Sequence, residues 1–186
     1  MNAPIRYHST RSAAPTVPIS QAIAAGLAPD GGLYVPERLP RLDPATFDPH
    51  GTLADTAATL LAPFFAGDAL GDDLPAICAE AFTFDAPLRA LPAHPDTFLL
   101  ELFHGPTSAF KDFGARFLAA CLRRLPRSDA RPLTILVATS GDTGAAVAAA
   151  FHRQPNIRVV ILYPDGLVSP RQAHQLGCFG DNVTAL

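Results

Sequence analysis

From about Pro95 onward the chain alternates short runs of β-branched and large apolar residues with longer helical stretches, and no other feature constrains its fold as much. Thr97–Leu102 (TFLLEL), Leu133–Thr139 (LTILVAT) and Ile157–Tyr163 (IRVVILY) read as strands, with Val183–Leu186 as the start of another. Between them Ala109–Leu125, Thr143–Gln154 and Pro170–Leu176 read as helices, the first carrying Phe110, Phe113, Phe117, Cys121 and Leu125 on or near one face. Strands spaced by helices predict an α/β fold of βαβ units. Its parallel sheet should be covered on both faces, with ligands at the carboxyl ends of the strands.

The half before Pro95 is punctuated by proline and glycine and reads as a small α-rich domain. Pro18–Ala25 has helical periodicity, and Gly26 is placed to end it in a left-handed cap. The turn Pro29-Asp30-Gly31-Gly32 leads into a short strand, Leu33–Val35, stopped by Pro36. Helices are expected at Leu53–Phe65 and Asp73–Phe82. The domain boundary is accordingly expected near residue 95, with residues 1–95 and 96–186 as the two parts.

Charge and cysteine content exclude several functions. A net charge of −3 without a run of like charges gives no footprint for nucleic acid or an anionic membrane. No run approaches the ~20 apolar residues that a membrane-spanning helix needs. The N-terminal MNAPIRYHSTRSAAP lacks the apolar core of a signal peptide, so the expected location is the cytoplasm. Cys78, Cys121 and Cys178 are scattered, without a CxxC pair or a His at ligand spacing, and predict buried or half-buried thiols rather than a disulfide or metal site.

The basic residues are lopsided. Of the 14, all but Lys111 are arginine. Arginine can replace lysine wherever charge alone matters, but its guanidinium stays protonated and cannot act as a nucleophilic amine. Lys111 lies in the loop His104–Gly114, between a predicted strand and helix, in the first helical turn. The positive end of the helix dipole and burial by Phe110 and Phe113 would both favour the uncharged amine, which is the form a Schiff base with an aldehyde cofactor requires. The plainer reading is a solvated lysine paired with Asp112.

A second strand-to-helix loop reads Thr139-Ser140-Gly141-Asp142-Thr143-Gly144. Free amides at a helix start, with hydroxyls from Thr139, Ser140 and Thr143, form a receptor for a carboxylate or phosphate. The spacing fits neither GxGxxG nor GxxxxGK[ST]. A βα turn capped by Asp142 or Thr143 is the plain alternative. Two such loops on successive parallel strands would face one crevice.

Taken together, ELFHGPTSAFKDFGARFLA (Glu101–Ala119) and ATSGDTGAAVA (Ala138–Ala148) resemble the threonine synthase family, pyridoxal-phosphate lyases of the tryptophan-synthase β-like fold type, fold type II. His8-Ser9-Thr10-Arg11, GLAPDGGLYVP (Gly26–Pro36) and VSPRQAHQLGCFGDNVTAL (Val168–Leu186) resemble that family's other motifs in the same order. The resemblance implies that Lys111 holds pyridoxal 5′-phosphate and then acts as the mobile base, with Phe110 and Asp142 also at the cofactor. It implies that Thr139, Ser140, Gly141 and Thr143 bind the substrate, O-phospho-L-homoserine, which with water becomes L-threonine and phosphate. Many relatives of the fold carry Asn where this chain has Asp142, and family members often have Leu at the place of Ser108. Members of the family are more than twice as long, and their cofactor-phosphate loop lies beyond the point reached by Leu186. The expectation is therefore a truncated catalytic domain that lacks its C-terminal half and is inactive by itself. A serine/threonine dehydratase-like enzyme of the same fold, or a non-catalytic remnant holding a phosphorylated metabolite, are the other readings.

Overall fold

The computed structural model describes residues 3–126 and 132–186. The chain divides into two compact units, Met1–Phe82 with Ala120–Pro126, and Thr83–Ala119 with Arg127–Leu186. Among the described residues no helix is long and apolar enough to cross a membrane.

In the first unit β1 (Tyr7–Ser9) pairs antiparallel with β2 (Tyr34–Pro36), so the expected strand exists one residue later and includes Pro36. β1 was not legible, since three residues are too few to show alternation. Asp30 ties the hairpin together: its carboxylate accepts from Ser9 Oγ at 2.7 Å and from the Gly32 and Ala13 amides at 3.0 Å. The Ser9 hydroxyl, then these amides and Arg11, hold that carboxyl below the usual range. Helix α1 (Ile19–Ala25) ends at Gly26, whose φ of 71° is positive as expected, but whose ψ of −53° makes it a tight turn rather than a left-handed cap. Helix α2 (Leu53–Phe65) starts with a reciprocal capping box between Thr52 and Asp55 and packs on α3 (Leu74–Ala81). Phe65, Leu70, Ile77 and Cys78 are fully buried.

Cys78 and Cys121 are buried and Cys178 is exposed, all three as free thiols. Burial pushes the Cys78 thiol up to about 11 and the Cys121 thiol up to about 12. The thiolate is the reactive form. Iodoacetamide at pH 8 is therefore expected to modify Cys178 alone in the native protein, and all three cysteines once it is unfolded. Mass mapping that finds native-state labelling at Cys78 or Cys121 would contradict their burial.

The second unit begins differently from expectation. Thr97–Leu102 is not a buried strand of the parallel sheet. Its core, β4 (Phe98–Leu100), forms an antiparallel hairpin with β3 (Leu88–Ala90), and all six residues are exposed. The Pro95 segment is the hairpin's loop, closed by Leu91 N–H donating to the Thr97 carbonyl at 3.0 Å. An apolar run of this length does not encode the direction of its partner.

From there the βαβ reading holds. Helix α4 (Lys111–Arg124) is followed by β5 (Leu133–Ala138), α5 (Asp142–Phe151), β6 (Ile157–Leu162), α6 (Pro170–Gly177) and β7 (Val183–Ala185). The three strands form a parallel sheet in the order β5-β6-β7, with Ile135 opposite Val159 and Val159 opposite Val183. The chain's last residues are thus the predicted additional strand. Among the described residues the sheet is covered on one face: Ile157, Val159 and Ile161 are buried, whereas Arg158 and Leu162 are exposed and Leu136 is 66% exposed. Helix α5 buries Ala145, Ala146, Ala148 and Phe151. Its approach to the covered face needs Gly144, where a Cβ would fall 2.5 Å from Thr139 Cγ2 and 2.6 Å from Leu176 Cδ2.

Candidate active site

At the carboxyl end of β5 a crevice of about 410 Å³ is lined by both loops singled out from the sequence. Phe110 and Lys111 stand on one side. Thr139, Ser140, Asp142 and Thr143 stand on the other, with Ala109, Ala138 and Gln172 completing the walls. Thus two stretches separated by about thirty residues meet, as βα loops at the carboxyl end of a sheet are expected to do.

The lysine loop is organised from beneath by Asp112, which is fully buried. Its carboxylate accepts from the Thr107 amide at 2.9 Å, the Thr107 hydroxyl at 2.8 Å and the Ala109 amide at 3.5 Å. Gly105 makes room for it, since a Cβ there would lie 2.5 Å from Asp112 Oδ2. The loop thereby turns at Ser108, with φ of 55°, and delivers Lys111 as the first residue of α4. Asp112 is therefore not the surface partner of Lys111, and among the described residues Lys111 makes no ion pair. The expected desolvation by two phenylalanines is also corrected. Lys111 is exposed and Phe110 is 61% exposed, while the Phe113 ring lies edge-on to Phe84 at 5.0 Å.

The second loop is held by Thr139. Its hydroxyl oxygen accepts from the Gly141 amide at 3.0 Å and the Gly144 amide at 3.1 Å, leaving the O–H as its remaining donor. Gly141 adopts φ of 147°, a left-handed conformation that disfavours a side chain, and a Cβ there would collide with the Gln172 amide. Among the described residues the Ser140, Asp142 and Thr143 amides have no protein acceptor. They sit at the start of α5, where the helix dipole favours an anion. The Asp142 carboxylate occupies the same turn and accepts from Gln172 Nε2 at 3.3 Å. Gln172 was not singled out from the sequence. The signal available there, Ser169-Pro170-Arg171-Gln172, is a helix-start pattern with no hint of what the glutamine side chain meets.

Chemically the crevice joins one primary amine, an anion-receptive helix start, hydroxyls from Ser140 and Thr143 and an exposed aromatic ring. That set fits an aldehyde cofactor carrying an aromatic ring and anionic groups. The amine would engage the aldehyde, while Gly141, without a Cβ, makes room for the Gln172 side-chain amide rather than for a ligand.

Comparison with known proteins divides the chain at the same point, between Phe82 and Thr83. The family described as "Threonine synthase N terminus" matches residues 6–82, and the family described as "Pyridoxal-phosphate dependent enzyme" matches residues 83–186. Threonine synthase of Haemophilus influenzae is 45% identical over 90% of this chain and 38% of its own length. The crystal structure of threonine synthase from Escherichia coli superposes with a TM-score of 0.84 at 37% identity, over 97% of this chain and 42% of the other. A Brucella melitensis threonine synthase structure described as PLP-bound gives a TM-score of 0.84 at 38% identity, over 97% of this chain and 40% of that one. The chain spans about two fifths of the length of these relatives.

Proposed function

The chain belongs to the pyridoxal-phosphate dependent enzyme family, and from that premise we propose that it carries the lysine half of a threonine synthase, converting O-phospho-L-homoserine and water to L-threonine and phosphate. The observation that carries this reading is that the chain's single lysine lines the same crevice as the open helix start of the Ser140–Thr143 loop. The match of residues 6–82 to the threonine synthase N terminus favours this member of the family over a dehydratase.

Bound pyridoxal phosphate supplies an electron sink that lets a carbanion form next to the amino group of the substrate. Everything else falls to side chains and amides. Lys111 Nζ would hold the cofactor through its aldehyde and, once freed by the substrate amine, would serve as the base that takes the α-proton and later a β-proton as the γ-phosphate departs. Water then adds at the β-carbon. The Ser140, Asp142 and Thr143 amides and the Ser140 and Thr143 hydroxyls would receive the substrate carboxylate, in a loop whose turn Thr139 and Gly141 shape. Phe110 and Asp142, which line the same crevice, would help hold the cofactor, Phe110 with its ring and Asp142 with a carboxylate oxygen. The free thiols support a reducing, cytoplasmic setting for this chemistry.

The test separates attachment from turnover. Borohydride reduction of the protein with pyridoxal phosphate is expected to fix the cofactor on the peptide containing Lys111, read by mass spectrometry. The full gene product, given O-phospho-L-homoserine, is expected to release threonine and phosphate in equal amounts. Modification only at the α-amino group would remove Lys111 from the chemistry, and 2-oxobutyrate as the product would instead identify a dehydratase.

A further inference from the structure

Gln172 reaches the crevice from a different element than any of the residues above. It is the third residue of α6, and both ends of its side-chain amide are committed. Its Oε1 accepts from the Ser169 amide at 3.2 Å and the Ser169 hydroxyl at 3.0 Å, while Ser169 Oγ accepts from the Gln172 amide at 3.3 Å. This reciprocal box fixes which end of the amide is oxygen. Nε2 is therefore the end that must face the β5–α5 loop, and there it donates to Asp142 Oδ1 at 3.3 Å. The side chain lies directly over the bare Cα of Gly141.

The consequence for Asp142 is specific. A carboxylate beside a receptor for anions opposes their binding unless one oxygen is neutralised by a donor and the other is turned to a donor on the ligand. Gln172 occupies Oδ1, and among the described residues Oδ2 has no partner and remains available in the crevice. We infer that Gln172 is a positioning residue for the site, using the cap of α6 to orient its amide so that Asp142 presents an acceptor oxygen to the bound cofactor. This rests on the assignment of the crevice to pyridoxal phosphate.

The capping box makes this role separable from a purely structural one. Glutamate is as good a capping-box residue as glutamine, so Gln172→Glu keeps the helix start while replacing a donor to Asp142 by a second acceptor and a second negative charge. In Asp142→Asn the retained Gln172 donor draws the new amide oxygen, so that the new NH2 rather than an oxygen faces the ligand. Combining the two reverses the bond: the introduced asparagine NH2 donates to the introduced glutamate, and the asparagine oxygen again faces the crevice, with net charge unchanged.

The experiment measures the dissociation constant for pyridoxal phosphate from its visible absorbance in the wild-type full gene product and the three variants, together with their thermal unfolding midpoints. Each single variant is expected to weaken binding about tenfold or more, the equivalent of one charge-assisted hydrogen bond. The double variant Asp142→Asn/Gln172→Glu is expected to recover most of that loss, and Gln172→Glu to unfold at the wild-type temperature. A Gln172→Glu protein that binds cofactor as tightly as the wild type, or single losses that simply add in the double variant, overturns the role of Gln172 alone. A wild-type protein that takes up no cofactor at Lys111 overturns the assignment of the crevice, and the role of Gln172 with it.

Discussion

Lys111→Arg is expected to abolish the covalent capture of pyridoxal phosphate, leaving no borohydride-stable label beyond the α-amino group. Arginine keeps the charge and much of the reach of lysine, but its guanidinium does not release a proton under any physiological condition, so it can neither attack an aldehyde nor take a proton from carbon. Turnover by the full gene product is expected to fall by about 10²–10⁴-fold from lost proton transfer alone. The folded structure should be unaffected, because Lys111 is exposed and makes no ion pair among the described residues. A Lys111→Arg protein with unchanged cofactor absorbance and unchanged thermal stability would show that the amine is a surface charge. Within these 186 residues no other lysine can take up the label.

Asp112→Ala is expected to be the most damaging single change to the site that touches no ligand. The carboxylate is fully buried and satisfies two donors from Thr107 and one from Ala109. Its removal leaves those groups in a dry cavity, a loss of about 2–4 kcal/mol, and a fall in melting temperature of roughly 10 °C. Asp112→Asn should cost less, because its Oδ1 can still accept from the Thr107 amide while its NH2 donates to the Thr107 hydroxyl. The functional effect should exceed the loss of stability, since the Gly105–Phe110 loop sets where α4 begins and hence where Lys111 stands. Equilibrium unfolding together with cofactor affinity measured well below the melting transition decides the matter. An Asp112→Ala protein of wild-type stability would mean that the loop has another anchor.

Both predictions depend on neighbours that differ in how openly the sequence declared them. The lysine was conspicuous because composition had removed every other one, and the Ser140–Thr143 loop because glycines and hydroxyls cluster between a β-rich run and an alanine-rich helix. Asp112 read as an exposed counter-charge, since a carboxylate next to a lysine in the first turn of a helix ordinarily is one. Its burial follows from Gly105, seven residues earlier, whose missing side chain makes space that no local pattern reveals.

The same boundary runs through the fold. Local patterning determined α2 with both its ends, the βαβ succession from β5 to β7 and the strand at the end of the chain, because these depend on residues within a few positions of one another. Tertiary structure alone decided that Phe98–Leu100 pairs backward with Leu88–Ala90 instead of entering the parallel sheet. It also decided that Gln172 meets Asp142 across thirty residues. Apolar content and turn chemistry specify what a segment is. Which distant segment completes its hydrogen bonds is settled when backbone and side-chain groups compete for partners in the packed molecule.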